Sequence, residues 1–287
     1  MVSSPDEVYM RLFRTSRHPS LPTDNIEKVM ERNRSYYAKY PFDANRVRDI
    51  LNYLQTHPTT TPNGGSLTPR RFQQLGLDFG AHGGFDRVHN LVLRTSNDLH
   101  LFQKPTYKTL SLIQESNNFD SNVLYAVLHE PIYCQGRASN WAADRVMASQ
   151  FQDFFWPPRT KEATLYPPLF TGEMVFSWMF ADYAELRPLA QVAGMVAKEK
   201  DWPALYDVDQ LARNEVPVAA ATYVEDMYVD YELSKETKEK IRGCQQWITN
   251  KSALPPFVQA VMLMEGICIT DYDRILWKYW GRCLILL

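Results

Sequence analysis

The sequence predicts an α/β protein in which helices dominate the first part and a parallel strand pair lies near the end. The first observation is helical periodicity, because four apolar residues recur at spacing i, i+3, i+4 and i+7: Val47, Ile50, Leu51 and Leu54. The second is the short apolar run PVAAATYVED over 217–226, typical of a parallel strand buried on both faces. The third is the order strand, helix, strand between 217 and 249, typical of a βαβ unit.

Composition limits the function classes. The chain has 287 residues, a net charge of −2 and a pI near 6.3, so nothing predicts nucleic-acid binding, and a small molecule or a protein is the expected partner. Four scattered cysteines without a CxxC pair predict free thiols in a reducing compartment: Cys134, Cys244, Cys268 and Cys283. The N-terminus has no signal-peptide pattern, and the apolar stretch 257–269 is too short to span a bilayer. A cytoplasmic protein without a membrane partner is expected.

Proline-bearing polar segments divide the first part of the chain. Segments 14–25 and 56–69 are predicted loops, the second with a Gly-Gly pair suited to a hairpin turn. Helices dominate from 69 to 152, where Trp141, Arg145 and Ser149 share one helix face. The segment 154–168 is a predicted linker, since its prolines end helices and are unsuited to central strands.

The last elements follow the apolar strand. Ser234 is the predicted N-cap of a helix, with Glu236 near the positive end of the helix dipole. The segment QQWIT, 245–249, is the predicted second strand.

Two acidic sites are candidate functional residues. Glu225 and Asp226 end the apolar strand, and ligands of open α/β sheets gather at the carboxyl ends of strands. A carboxylate there can orient a catalytic histidine, or it can simply cap a helix or form a loop salt bridge. Glu130 ends an apolar helical stretch and can hold a substrate ammonium group, or it can be a helix-end charge paired with an arginine.

Other catalytic and metal signatures are missing from the sequence. The pair His129-Glu130 does not begin an HExxH motif, because Tyr133 stands at the fifth position. His82 and His89 have no third ligand, so neither a metal nor a cofactor is predicted. The GxSxG motif of a nucleophilic serine does not occur in the 287 residues.

Several long segments resemble bacterial and fungal proline iminopeptidases, which are serine peptidases with the α/β-hydrolase fold. They are ERNRSYYAKYPFDANRVRDI, LTPRRFQQLG, FDSNVLYAVLHEPIYCQG, FTGEMVFSWMF, NEVPVAAATYVEDMYVDYELSKET and GCQQWITN, in the order of the family, between about Pro5 and Asn250. The resemblance implies that Asp226 is the acid of the catalytic triad, with Glu225 as the weaker candidate at the site. It also implies that Glu130 recognises the free amino terminus of the substrate and that the helical region before Pro168 is a cap.

The resemblance implies an incomplete α/β-hydrolase fold: a helical cap-like region 1–167, a C-terminal part of the core 168–250 and a divergent tail 251–287. The chain starts after the family's first strands and its serine motif, and about Leu254 stands where the family has its histidine. The implied function is a hydrolase that releases N-terminal proline from peptides or from prolyl-bearing small metabolites. We expect no triad-dependent turnover from these 287 residues alone, because a serine nucleophile needs its base.

Two alternatives stay open at this point. One is a non-catalytic binding or interaction fragment of an α/β-hydrolase, whose exposed sheet edge is covered, for example, by self-association. The other is an artefact of gene prediction that does not fold.

Overall fold

The computed structural model describes residues 26–159, 161–216, 218–229 and 231–249, and the chain divides into two compact units between Leu205 and Tyr206. The predicted loop 14–25 and the tail 251–287 lie outside the described residues. The first unit is built from nine α-helices in its described part: α1 Ile26–Lys39, α2 Asp43–Thr56, α3 Pro69–Gln73, α4 Gly84–Phe102, α5 Tyr107–Ser116, α6 Val123–Leu128, α7 Ala142–Gln150, α8 Met179–Asp182 and α9 Ala190–Lys198. Short 3-10 helices connect several of them, as at Gln74–Gly80 and Pro131–Tyr133.

Helix α2 confirms the periodicity seen in the sequence. All four predicted apolar residues are buried, and α2 packs against α4. Helix α4 begins at Gly84 because Gly83 has a positive φ of 69°, which separates His82 from the helix that carries His89. An aromatic cluster around Tyr36 adds to this core, with the rings of Phe79 and Phe170 at 4.8 and 5.2–5.5 Å.

The predicted loop 56–69 is confirmed and folds back on itself. Thr60 and Ser66 form an isolated antiparallel bridge, and the Thr61 N–H donates to the Gly65 carbonyl at 2.8 Å. Gly65 lies so close to the Arg71 guanidinium that an added Cβ would come within 2.4 Å of its Nη1. The loop ends at Thr68, whose hydroxyl caps α3 by accepting from the Arg71 N–H at 3.3 Å.

Arg71 is a fully buried cation at the centre of the first unit. Its Nη2 donates to Asp120 at 3.1 Å, and its Nη1 donates to the backbone carbonyls of Asp182 and Ser66 at 3.1 and 3.3 Å. The guanidinium carbon lies 3.8 Å from the centre of the Tyr183 ring. These contacts join the loop before α3 to the segments that carry Asp120 and Asp182, so a charged side chain organises the core.

A second buried charge, Asp43, joins α1, α2 and α4. Its carboxylate accepts hydrogen bonds from the Tyr36 hydroxyl at 2.5 Å, from His89 Nδ1 at 2.8 Å and from Arg46 Nη1 at 2.9 Å. Burial and the neighbouring carboxylate raise the pKa of Tyr36. Every oxygen of this carboxylate therefore has a donor, as a buried charge requires.

The second unit contains the predicted βαβ arrangement. Helix α10, Val208–Ala212, precedes β1, Val218–Tyr223; α11, Tyr231–Lys240, then leads to β2, Cys244–Thr249. The strands pair in parallel, from Val218 opposite Cys244 to Tyr223 opposite Thr249, which confirms the predicted order. A small core of Val218, Ile241 and Cys244 lies beneath them.

Two expectations for the second unit are wrong. Ser234 is not an N-cap, because α11 begins at Tyr231 and Ser234 lies inside it. The strand β1 is not buried on both faces, since Ala219, Ala220 and Ala221 are half-buried and Tyr223 is exposed. Small side chains in a sheet of two described strands leave much of each face uncovered.

The predicted linker 154–168 contains only 3-10 turns among its described residues, the longest at Glu162–Leu165. The domain boundary predicted after residue 167 lies within the first unit, and the assignment of cap and core stays a prediction. Cys134 and Cys244, the two cysteines within the described ranges, are free thiols. In the part of the chain that the structure describes, no helix combines the length and the apolar character needed to cross a bilayer.

Candidate active site

Glu130 lies at the point where α6 passes into the 3-10 helix Pro131–Tyr133. Its side chain is buried, with 3% of the residue exposed, although it follows a helix whose outer residues are exposed. The proline at the next position starts the new turn, which directs the Glu130 side chain inward towards the start of α7. A glutamate in this position must find hydrogen-bond donors inside the protein.

The donors are the first two backbone N–H groups of α7. Ala142 N donates to Oε2 at 3.0 Å, and Ala143 N donates to Oε1 at 2.9 Å. These N–H groups have no partner within their own helix, and a carboxylate at this end is favoured by the helix dipole. Glu130 therefore pairs with a helix terminus, and not with the arginine that the structural alternative had assumed.

Opposing effects act on the charge of Glu130. Burial raises the pKa of Glu130, while hydrogen bonds from Ala143, Ala142 and the Ser139 side chain partly offset that rise. Each carboxylate oxygen can accept more than one hydrogen bond, so two backbone donors do not saturate the group. Chemically, Glu130 is a desolvated acceptor with capacity for a further N–H donor.

The segment that enters α7 is held in a strained conformation. Asn140 and Trp141 have positive φ angles of 48° and 56°, and a bulky side chain in this region costs about 1–3 kcal/mol. Backbone contacts stabilise it: Asn140 N donates to the Ala197 carbonyl at 2.8 Å, and Arg145 Nη2 donates to the Ser139 carbonyl at 2.8 Å. The strain positions the N–H groups of α7 against Glu130, and no sequence pattern indicated it.

His129 is a buried neighbour that the sequence pattern did not identify as a site residue. It is 7% exposed, and burial lowers the pKa of His129 to about 4, so the imidazole is neutral near pH 7. The ring lies 5.1 Å from that of Tyr125 and 6.3 Å from that of Tyr133. Its Nδ1 atom is buried and has no hydrogen-bond partner among the described residues.

Asp226 lies just beyond the carboxyl end of β1, where the sequence predicted an acid. Its Oδ1 accepts from the N–H groups of Tyr228 at 2.7 Å and Val229 at 3.1 Å, which fixes the carboxylate in a tight turn. Asp226 is half-buried, whereas the neighbouring Glu225 is exposed. Of the two acids, Asp226 is the one with a fixed geometry.

No protein-family model matches the chain. Proline iminopeptidase aneH of Aspergillus aculeatus is 43% identical over 250 residues, which cover 87% of this chain and 51% of that protein. Proline iminopeptidase of Aeromonas sobria is 38% identical over 248 residues, which cover 86% of this chain and 53% of that protein. Identity at this level over so long a segment reflects common descent.

The chain is related to the proline iminopeptidases. The resemblance found in the sequence is thereby confirmed. The chain spans about half the length of the curated proline iminopeptidases that it matches.

In this proline iminopeptidase relative, the predicted site residues lie in separate units. Glu130 is in the first unit, and Glu225 and Asp226 are in the second. Among the described residues, no group of three or more His, Cys, Asp or Glu side chains could hold a metal ion. The local geometry thus offers one buried acceptor at a helix terminus and one fixed acid at a sheet edge.

Proposed function

We propose that the chain is part of a proline iminopeptidase-like serine hydrolase with the α/β-hydrolase fold. The reaction is the release of N-terminal proline from peptides or from prolyl-bearing small metabolites. The observation that carries this proposal is the identity of 38–43% to two proline iminopeptidases over most of the chain. The helical first unit fits a cap, and the parallel strand pair of the second fits the end of a hydrolase core.

Asp226 is the proposed acid of the triad. It follows a parallel strand at the sheet edge, where catalytic groups of α/β proteins gather, and two backbone N–H groups fix its carboxylate. Such an acid orients a histidine and stabilises the imidazolium that forms during catalysis. Glu225, which is exposed, is the secondary candidate for contact with the substrate.

Glu130 is the proposed acceptor for the ammonium group of the substrate. An N-terminal proline carries a secondary ammonium group with two N–H donors, and a desolvated carboxylate binds such a charge more strongly than an exposed one. The unused acceptor capacity of Glu130 suits this role. The backbone donors from α7 hold the carboxylate in one orientation, so little conformational entropy is lost on binding.

Binding and turnover separate in this chain. The 287 residues contain no GxSxG motif, and Leu254 stands near the expected place of the histidine, so we propose that the isolated chain binds but does not hydrolyse. A cytoplasmic location, expected from the scattered cysteines, is part of the same proposal. The names of the two relatives do not favour a non-catalytic function for the family.

Calorimetric titration of the purified 287-residue chain with L-prolinamide tests the proposal. We expect saturable binding by the chain and by the control variant Glu115→Gln, which alters an exposed acid in α5. Binding is lost in Glu130→Gln, and N-acetyl-L-prolinamide does not bind, because its nitrogen carries no charge. Equal binding of the acetylated compound would rule out ammonium recognition by Glu130.

A parallel assay measures hydrolysis of proline p-nitroanilide. We expect no turnover above buffer from the chain or from Asp226→Asn. Turnover that disappears in Asp226→Asn would contradict the proposed inactivity, because it requires a nucleophile and a base within these 287 residues.

A further inference from the structure

Helices α6 and α9 pack against each other and present an uncharged apolar surface. Large apolar side chains are exposed on both helices and on the turn after α6: Leu124, Leu128, Ile132, Val192 and Met195. We name these five residues the α6/α9 surface. Helix α6 has no charged residue, and α9 has only Lys198 in its last turn.

The composition of α9 is unusual for a helix at a protein surface. Its inner face buries Ala193 and Ala197, as expected, but its outer face carries Val192 and Met195, with Met195 65% exposed. A helix that is apolar on all sides is ordinarily covered on all sides. Clustered exposed apolar side chains of this kind mark an interaction site.

The α6/α9 surface is continuous along the chain with the candidate site. Leu128 precedes His129 and Glu130, and Ile132 follows them. Within the described ranges, Nδ1 of His129 is buried without a hydrogen-bond partner. A buried polar atom of this kind is ordinarily satisfied by another group, so the missing partner and the uncovered apolar side chains occur in the same short segment.

We propose that the α6/α9 surface docks the part of a proline iminopeptidase that lies outside the segment matched by this chain. The inference rests on the proposed function. The matched segment is 51–53% of the two relatives, so nearly as many residues again must pack against it in those proteins. The absence of charge on the surface calls for an apolar partner and excludes a charged peptide.

The candidate site supplies the second reason for this occupant. A substrate whose ammonium group is held by Glu130 must meet a serine and a histidine, and the 287 residues offer no serine motif. The segment that carries these groups must therefore approach Glu130, and the apolar surface beside Glu130 is where it can bury side chains. A second copy of this chain would cover the same surface without bringing a nucleophile.

Paired charge substitutions test the docking. In the intact Aeromonas sobria proline iminopeptidase, the residues aligned with Leu124 and Met195 are replaced by aspartate. The matched control replaces the residues aligned with Leu101 and Phe102, two comparably exposed apolar side chains at the end of α4. The same two double variants, Leu124→Asp with Met195→Asp and Leu101→Asp with Phe102→Asp, are made in the 287-residue chain.

We expect the first pair to lower the melting temperature of the Aeromonas protein by more than about 5 °C relative to the control pair, because burying a charge is costly. In the 287-residue chain the two pairs have equal, small effects. Equal effects in the Aeromonas protein would overturn the proposal. So would light scattering that shows a dimer of this chain which Leu124→Asp with Met195→Asp converts to a monomer, because the occupant is then a second copy.

The melting temperatures report docking, and prolinamide binding reports the proposed function. A prolinamide titration that fails while the first pair destabilises the Aeromonas protein refutes the ammonium role of Glu130 and leaves the docking surface in place. The reverse result refutes the docking surface alone.

Discussion

Replacing Arg71 by methionine tests whether a buried charge organises the first unit. Methionine keeps most of the apolar stem and removes the guanidinium, which contacts Asp120, two backbone carbonyls and the Tyr183 ring. Removing one partner of a buried ion pair costs about 3–5 kcal/mol, because the other charge stays buried without compensation.

The remaining contacts of Asp120 set the magnitude within that range. Its carboxylate keeps the Asn63 side-chain donor at 2.8 Å and the Glu185 N–H at 2.9 Å. We therefore expect Arg71→Met to lower the free energy of unfolding by about 3 kcal/mol, at the lower end of the range. For a unit of this size, that loss corresponds to a decrease of about 6–12 °C in melting temperature.

Urea unfolding followed by far-ultraviolet circular dichroism measures the change. The matched control is Arg94→Met, an exposed arginine of α4, which should alter the free energy of unfolding by less than about 0.5 kcal/mol. In the double variant Arg71→Met with Asp120→Asn, the two losses should be less than additive by about 1–2 kcal/mol. A loss below about 1 kcal/mol for Arg71→Met would refute the reasoning.

Further predictions concern pH and two glycines. Because burial lowers the pKa of His129 to about 4, the unfolded chain binds this proton first; the stability of wild type relative to His129→Phe should fall by up to about 3 kcal/mol between pH 6.5 and 4, and parallel curves would contradict this. Gly76→Ala should destabilise by about 1–3 kcal/mol, since its Cβ would lie 2.3 Å from the Thr171 carbonyl oxygen. Gly194→Ala, in open space within α9, should stabilise by about 0.5–1 kcal/mol. Equal urea midpoints for the two alanine variants would contradict the packing argument.

Local patterns in the sequence predicted the elements whose structure depends on local rules. The periodicity of α2 and the apolar run of β1 were sufficient, because side-chain burial in a helix or strand repeats at a fixed spacing. Ser234 was assigned wrongly as a cap, since several polar residues precede the helix and any of them suits a helix start. Helix boundaries depend on such small preferences and are the least certain part of a prediction.

The candidate site could be predicted only in part, because its contacts are distant in sequence. Glu130 was identified from its apolar context, but its partners begin twelve residues later, at the first N–H groups of α7. Likewise, nothing in the sequence around Arg71 distinguishes a fully buried arginine from the exposed Arg70 beside it. Tertiary packing decides which of two adjacent charges is desolvated.

The in-register pairing of β1 and β2 has a consequence for how this chain can change over evolutionary time. The last residues of the two strands, Tyr223 and Thr249, are direct partners, and Val224 N still donates to the Thr249 carbonyl at 3.3 Å. The polypeptide therefore leaves both strands at one sheet edge, next to Asp226. Mutations just downstream of Thr249 can replace the functional group delivered to that edge while the strand pairing is preserved, so loss or recovery of chemistry there is genetically inexpensive.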